Sequence, residues 1–296
     1  FPHGDGGPGS SRPDGVRGTG VPAMIPSGAD ALREAAARAL SALHATHPCI
    51  NHITNFVVMN DTANITIMTG ARPVMGHALE EAGLFATDAL VINAGNATFT
   101  DWNEAMIRCS HEAYGRNRPV VLDPVGIGAN EVRTRMIRRI LAEGHVDIIR
   151  GNQGEIGALS GLGGRVRGVD AIVGLDDPAK AVAALALSTG AVCAVGGESD
   201  YVSDGRRTAR IRSGHRYLTM LTGTGCMATS VIAAFAAVER DYFAAACAAL
   251  GMYRLAAERA GRAAGGPGTF RALLLDEMAN MAPDDLGENL PAEMVA

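Results

Sequence analysis

Apolar residues along this chain fall into short runs punctuated by glycine or polar residues, separated by longer amphipathic and Ala-rich stretches. Asp88 to Gly95 (DALVINAG), Pro119 to Val125 (PVVLDPV), Val146 to Asn152 (VDIIRGN) and Ala191 to Gly197 (AVCAVGG) read as buried strands. Ala29 to His44, Asp101 to Tyr114, Arg133 to Glu143, Gln153 to Ser160 and Pro178 to Thr189 read as helices. Tyr201 to Val202 and Thr208 to Arg212 flank Ser203-Asp204-Gly205 and read as an antiparallel hairpin. An apolar helix follows from Met227 to Val238, then long helices over about Asp241 to Ala264 and Gly268 to Met281. Strands alternating with helices imply βαβ units: an α/β fold with a mainly parallel sheet covered on both faces. In such folds ligands bind beyond the carboxyl ends of the strands.

Two stretches break the pattern. Val57 to Met68 carries Asn60, Asp61, Thr62 and Asn64 inside a helical segment, with Thr54 or Asn55 as a candidate N-cap. Such polarity fits either local hydrogen bonding or the wall of a site. Ala71 to Met75 (ARPVM) is short, apolar and bounded by proline.

Residues 1–28 are dense in Gly, Pro and Ser and read as a flexible tail. Residues 29–282 form one domain, and 283–296 an acidic tail expected to fray. The chain has 296 residues, 47% of them hydrophobic, enough for a large core. A net charge of -5 leaves no basic footprint for nucleic acid, so an anionic substrate needs local help from arginine or a metal. No apolar run is long enough for a membrane span. The N-terminal residues lack the charged start and apolar core of a signal peptide. Five scattered cysteines without a C-x-x-C pair fit a reducing, cytoplasmic setting.

The chemistry concentrates at strand ends and at Thr222-Gly223-Thr224-Gly225-Cys226. Gly223 and Gly225 open a helix, so backbone N–H groups at its positive end can receive a phosphate. Cys226 falls in the first turn, where a thiol is expected to have a lowered pKa. A glycine-rich turn with a buried cysteine is the plainer reading. Asp123 ends a strand, and Glu155 lies three residues beyond Asn152. Two carboxylates with an amide oxygen suit Mg2+ held partly through water and phosphate. Otherwise Asp123 caps a turn before Pro124 and Glu155 complements a helix dipole. Arg150 at a strand end can grip phosphate through its donor fork, or make a surface ion pair. Met75 reads equally as core. His52, His77 and His111 have no metal-ligand spacing.

In order along the chain, Cys49 to Ala71, PVMGHALEE, VLDPVGIGA, IIRGNQGEI, GVDA, LTGTGCMATSVIAAF and GPGTF followed by LLLDEM resemble the hydroxyethylthiazole kinase family. The resemblance implies a ribokinase-like three-layer α/β/α fold and a homotrimer with sites at subunit boundaries. It implies ATP-dependent phosphorylation of the hydroxyl of 4-methyl-5-(2-hydroxyethyl)thiazole, a thiamine salvage step. By that resemblance Met75 and Gly223 bind the thiazole alcohol, with Asn55 in the same wall. Arg150, Gly196 and Asn152 face ATP, and Asp123 and Glu155 face Mg2+. Cys226 stands where many sugar kinases of this fold carry an aspartate base, and Gly223 and Gly225 of the same loop are the other catalytic positions. Three features depart from the family: Asn51 stands where a histidine is usual, Gly196 where Thr or Ser is usual, and the glycine-rich head has no counterpart.

The nearest alternatives are a hydroxymethylpyrimidine or pyridoxal kinase of the same fold and a non-catalytic nucleotide-binding homologue. The segments ITNFVVMNDTAN and PVM favour the thiazole enzyme. A Rossmann oxidoreductase is disfavoured, since no G-x-G-x-x-G follows the first strand.

Overall fold

A computed structural model describes residues 28–81, 87–96, 100–163, 165–167 and 170–295. The expected flexible head, apart from Gly28, lies outside the described residues. The chain opens with α1 (Ala29–Thr46), β1 (Cys49–Ile53), α2 (Met59–Met68) and β2 (Arg72–Val74). Next come β3 (Ala89–Asn93), α3 (Thr100–Gly115), β4 (Val120–Asp123), α4 (Glu131–Glu143), β5 (Ile148–Asn152) and α5 (Gln153–Ser160). A small antiparallel ribbon, β6 (Arg165–Arg167) and β7 (Asp170–Val173), precedes α6 (Pro178–Thr189). The chain continues with β8 (Val192–Gly196), β9 (Asp200–Ser203) and β10 (Thr208–Ile211). It ends with α7 (Thr224–Val238), α8 (Tyr242–Ala263), α9 (Pro267–Asn280), α10 (Pro283–Asn289) and β11 (Ala292–Met294).

Among the described residues nine strands form one sheet in the order β11-β10-β9-β8-β5-β4-β3-β1-β2. From β2 to β8 neighbours run parallel; β9, β10 and β11 extend the sheet antiparallel. Alternation within each strand splits the core in two. Ile50, Val121, Ile148 and Ala194 face α1, α7 and α8. Ile53, Val120, Leu122, Ile149 and Val195 face α3 to α6. The result is the expected three-layer α/β/α arrangement. No helix among the described residues is long and apolar enough to cross a membrane.

Several boundaries follow local chemistry. Asn130, Asp177 and Asp241 cap α4, α6 and α8 through side-chain oxygens that accept helix N–H groups. Gly161 and Gly190 close α5 and α6 at positive φ.

Two readings are corrected. The described part of the expected 283–296 tail, residues 283–295, is not frayed: Leu286 and Leu290 are buried, and β11 pairs antiparallel with β10. Its acidic residues point outward while the apolar ones dock on the core, and Arg259 pairs with Asp285. In addition, α2 begins at Met59 after Val58, so neither Thr54 nor Asn55 is its N-cap. Asn55 instead closes the turn before it, accepting Val57 N–H at 3.1 Å. The strand β1 escaped the pattern reading because Asn51 and His52 interrupt its apolar run, yet both are buried.

Helix α7 carries the glycine loop and is packed through most of its length, with Phe235 fully buried. Phe235→Ala is expected to cost about 3–5 kcal/mol through lost transfer energy and a residual cavity. A urea denaturation midpoint near that of the wild type would contradict this.

Candidate active site

The first turn of α7 meets the carboxyl ends of β3, β4 and β5. Gly223 is its N-cap, with φ 86, in the left-handed region that favours glycine. A Cβ there would lie 2.9 Å from Val58 Cγ1. No side chain caps this helix, so its first N–H groups keep their donor capacity at the positive end of the dipole. The loop is held from behind: Thr224 Oγ1 donates to Leu218 O at 2.7 Å, and Tyr253 OH donates to Thr224 O at 3.0 Å.

Asp123 ends β4 and is almost completely buried. Its Oδ2 accepts from Asn93 Nδ2 at 3.1 Å and from Thr229 Oγ1, one turn along α7, at 3.0 Å. Glu155 is buried in the first turn of α5. Its Oε1 accepts Gly126 N–H at 3.0 Å and its Oε2 accepts Asn152 N–H at 2.8 Å. Asn152 returns the bond, its Oδ1 accepting Glu155 N–H at 2.9 Å, which completes a capping box. Asn152 therefore fixes Glu155 twice, its backbone N–H holding the carboxylate and its side chain holding the Glu155 backbone. Burial raises both carboxyls, and the nearby Asp123 charge helps bring Glu155 to about 7.

Arg150, on β5, is the cation facing this pair. Its guanidinium lies between two glycines: Cβ atoms at Gly196 and Gly225 would each lie 2.5 Å from one of its terminal nitrogens. Gly196 thus makes room for Arg150, a physical reason for the missing Thr or Ser. The Arg150 Nε is buried with no hydrogen-bond partner.

Cys226 differs from the expectation of a lowered pKa. Burial pushes its thiol well above the ordinary 9.0, and the Asp123 charge adds to the rise. Asn93 Nδ2 donates to its sulfur at 3.1 Å, and the thiol itself donates to Asp123. Desolvation and an adjacent carboxylate outweigh the helix dipole here, so the thiol is a hydrogen-bonding group and not a base.

Asn55 is buried, its amide donating to Asn93 Oδ1 at 2.9 Å and packing on Gly95. Met75 sits past the end of β2, on the outer part of the same sheet edge. Its turn is tied down by Asn51, whose Oδ1 accepts Gly76 N–H at 3.1 Å. Asn51 faces that turn, whereas His52 points into the core beside Thr66, its pKa lowered to about 4 by burial. The contacts therefore bring together Asp123, Glu155, Arg150, Gly196, Gly223, Gly225, Cys226 and Asn55. Met75 remains to the side, past the end of β2, which is one strand beyond β1 and three beyond β4.

Three residues escaped the sequence reading. Thr229 lies three residues after Cys226, and that spacing was the available signal. Arg254 is buried in the Ala-rich α8, donates to the carbonyls of Gly197 and Glu198, and approaches Asp200 at 3.7 Å. An arginine inside the apolar stretch from Tyr242 to Ala257 was its signal. Val58, which faces Gly223, had none.

The donor set fits a divalent cation. Burial raises the proton affinity of both carboxylates and the Asp123 charge adds to the rise at Glu155, a cost that a hard cation would relieve. Among the described residues no cluster of three or more His, Cys, Asp or Glu gathers as a metal site. Water and phosphate oxygens would supply the remaining ligands.

A model of the Hydroxyethylthiazole kinase family matches residues 40–284. The hydroxyethylthiazole kinase of Desulforudis audaxviator is 47% identical over 264 residues, spanning 88% of this chain and 96% of that protein. The solved hydroxyethylthiazole kinase of Pyrococcus horikoshii superposes with a TM-score of 0.80 at 36% identity, covering 88% of this chain and 99% of that one. The ADP complex of Bacillus subtilis pyridoxal kinase superposes with a TM-score of 0.53 at 17% identity, covering 71% and 91%, a likeness of fold.

Glu155 carries a pKa of about 7 in the fold against an ordinary 4.5. The native state therefore binds more protons than the unfolded chain between those values, and this contribution to stability is fully present below 4.5. It is lost as pH rises through 7. In chelator-containing buffer the melting temperature of the wild type relative to Glu155→Ala is expected to fall across that window. A constant difference would contradict the assignment.

Proposed function

This chain belongs to the hydroxyethylthiazole kinase family, and we propose that it transfers the γ-phosphoryl group of ATP to the hydroxyl of 4-methyl-5-(2-hydroxyethyl)thiazole. The observation that carries the reading is the uncapped, glycine-opened start of α7 beside the buried Asp123–Glu155 pair. In the transfer, the alcohol oxygen bonds to the γ-phosphorus, the bond to the β,γ-bridging oxygen breaks to release ADP, and the hydroxyl proton passes to a phosphate oxygen and on to solvent, since the Cys226 thiol is already protonated. Such transfer depends mainly on positioning and charge stabilisation. The N–H groups of the 223–226 turn cradle the migrating group, and Arg150, packed against Gly225 of that turn, adds positive charge. Asp123 and Glu155 would hold Mg2+, whose chemistry is to neutralise charge on the phosphate oxygens. Cys226, already protonated, orients the acceptor hydroxyl. Gly196 and the Asn152 cap line the nucleotide side; Met75, Gly223 and the Asn55 turn line the thiazole side.

Phe56 and Val57, in that turn, are 59% and 72% exposed. A homotrimer that covers them with a neighbouring subunit would complete the thiazole wall, and the proposed setting is the cytoplasm.

ADP release with and without the thiazole alcohol tests the reading, with hydroxymethylpyrimidine and pyridoxal as competing acceptors. Stimulation by the thiazole alcohol alone is expected. Nucleotide binding without turnover on any acceptor would overturn it. Gly223→Val is expected to lower kcat/KM at least about 100-fold, since the β-branched side chain meets Val58 and fills the anion approach. Light scattering checks the assembly, with three chains per particle expected.

A further inference from the structure

Asn93 ends β3 and is 1% exposed. The orientation of its carboxamide follows from its neighbours. Backbone N–H of Gly95 can only donate, and it meets Asn93 Oδ1 at 3.0 Å. Asn55 Nδ2 donates to the same oxygen at 2.9 Å. The Asn55 amide is itself fixed, because its oxygen accepts Val57 N–H at 3.1 Å. Both hydrogens of Asn93 Nδ2 are then left for Asp123 Oδ2 and Cys226 Sγ, each at 3.1 Å. All the principal hydrogen-bonding capacity of this one amide is committed, two bonds accepted and two donated.

Building on the phosphotransfer reading above, we propose that Asn93 is a positioning residue: its amide holds the Asp123 carboxylate and the Cys226 thiol in one mutual orientation and ties both to the Asn55 turn. No other side chain type does this in the same volume. Aspartate keeps the acceptor but loses both donors and sets a carboxylate against Asp123. Glutamine carries an extra methylene into a buried site, and serine is too short to span Asn55 and Asp123. The chain from Val57 N–H through Asn55 and Asn93 to Asp123 and Cys226 crosses from the alcohol side to the metal side. Asn93 lies at its midpoint and acts through its neighbours.

The test compares wild type with Asn93→Asp, Asn93→Ala and Asn93→Ser in the full chain, measuring kcat and KM for ATP and for the thiazole alcohol. Circular-dichroism melts give the folded fraction of each at the assay temperature. The expected result is a loss of about 100-fold in kcat for Asn93→Asp and Asn93→Ala, the scale on which small misplacements act. KM values are expected to stay within about fivefold, and Asn93→Ser to be intermediate. The Ala and Ser variants introduce no charge, so they carry the test if Asn93→Asp does not fold. The proposal fails if folded variants keep kcat within about threefold, if the loss appears only in KM, or if it equals the unfolded fraction. An active wild type with any of these outcomes overturns the role of Asn93 alone. A wild type that phosphorylates no acceptor overturns the kinase reading and this inference with it.

Discussion

The structure around the site is governed by the cost of keeping two carboxylates, Asp123 and Glu155, away from water and near each other. An uncompensated buried charge is among the most unfavourable things a fold can hold. Here the compensation is dispersed. Backbone N–H groups of Gly126 and Asn152 serve Glu155, while Asn93, Thr229 and the Cys226 thiol serve Asp123. These donors sit at strand ends, in the first turns of a helix or, for Gly126, in the turn after β4. The junction of β3, β4, β5 and α7 is therefore densely packed with polar groups.

That density explains the glycines. A guanidinium needs room, and Arg150 finds it where positions 196 and 225 carry no side chain. Arg254 acts one layer deeper, gripping the carbonyls of the loop after β8 and pairing with Asp200. Burial raises the Asp200 carboxyl, and both arginines pull it back down. The ends of β5 and β8 and the start of β9 are thus built on an alternation of arginine, aspartate and arginine.

Much of this was legible in the chain and some was not. The apolar runs ending at Asn93, Asp123, Asn152 and Gly196 marked the parallel strands, because a strand buried on both faces has little choice of residue. The same runs marked the sheet edge where the polar residues gather. β1 was hidden because Asn51 and His52 are buried polar residues whose partners come from distant positions. The last helix and strand were hidden because acidic residues and proline dominate a segment whose few apolar side chains dock on the core. The thiol of Cys226 was misjudged for a related reason. Its position in a first turn is local information, but the carboxylate beside it lies 103 residues earlier in sequence.

The antiparallel annex of the sheet brings a practical liability. β11 is only three residues long, and it covers the outer rail of β10. Trimming it would bare a row of unpaired amides and carbonyls that a second molecule could zip onto, seeding aggregates. Any load applied just beyond Met294 pulls on that short staple, so the pairing of β11 with β10 is the first contact such a load would test.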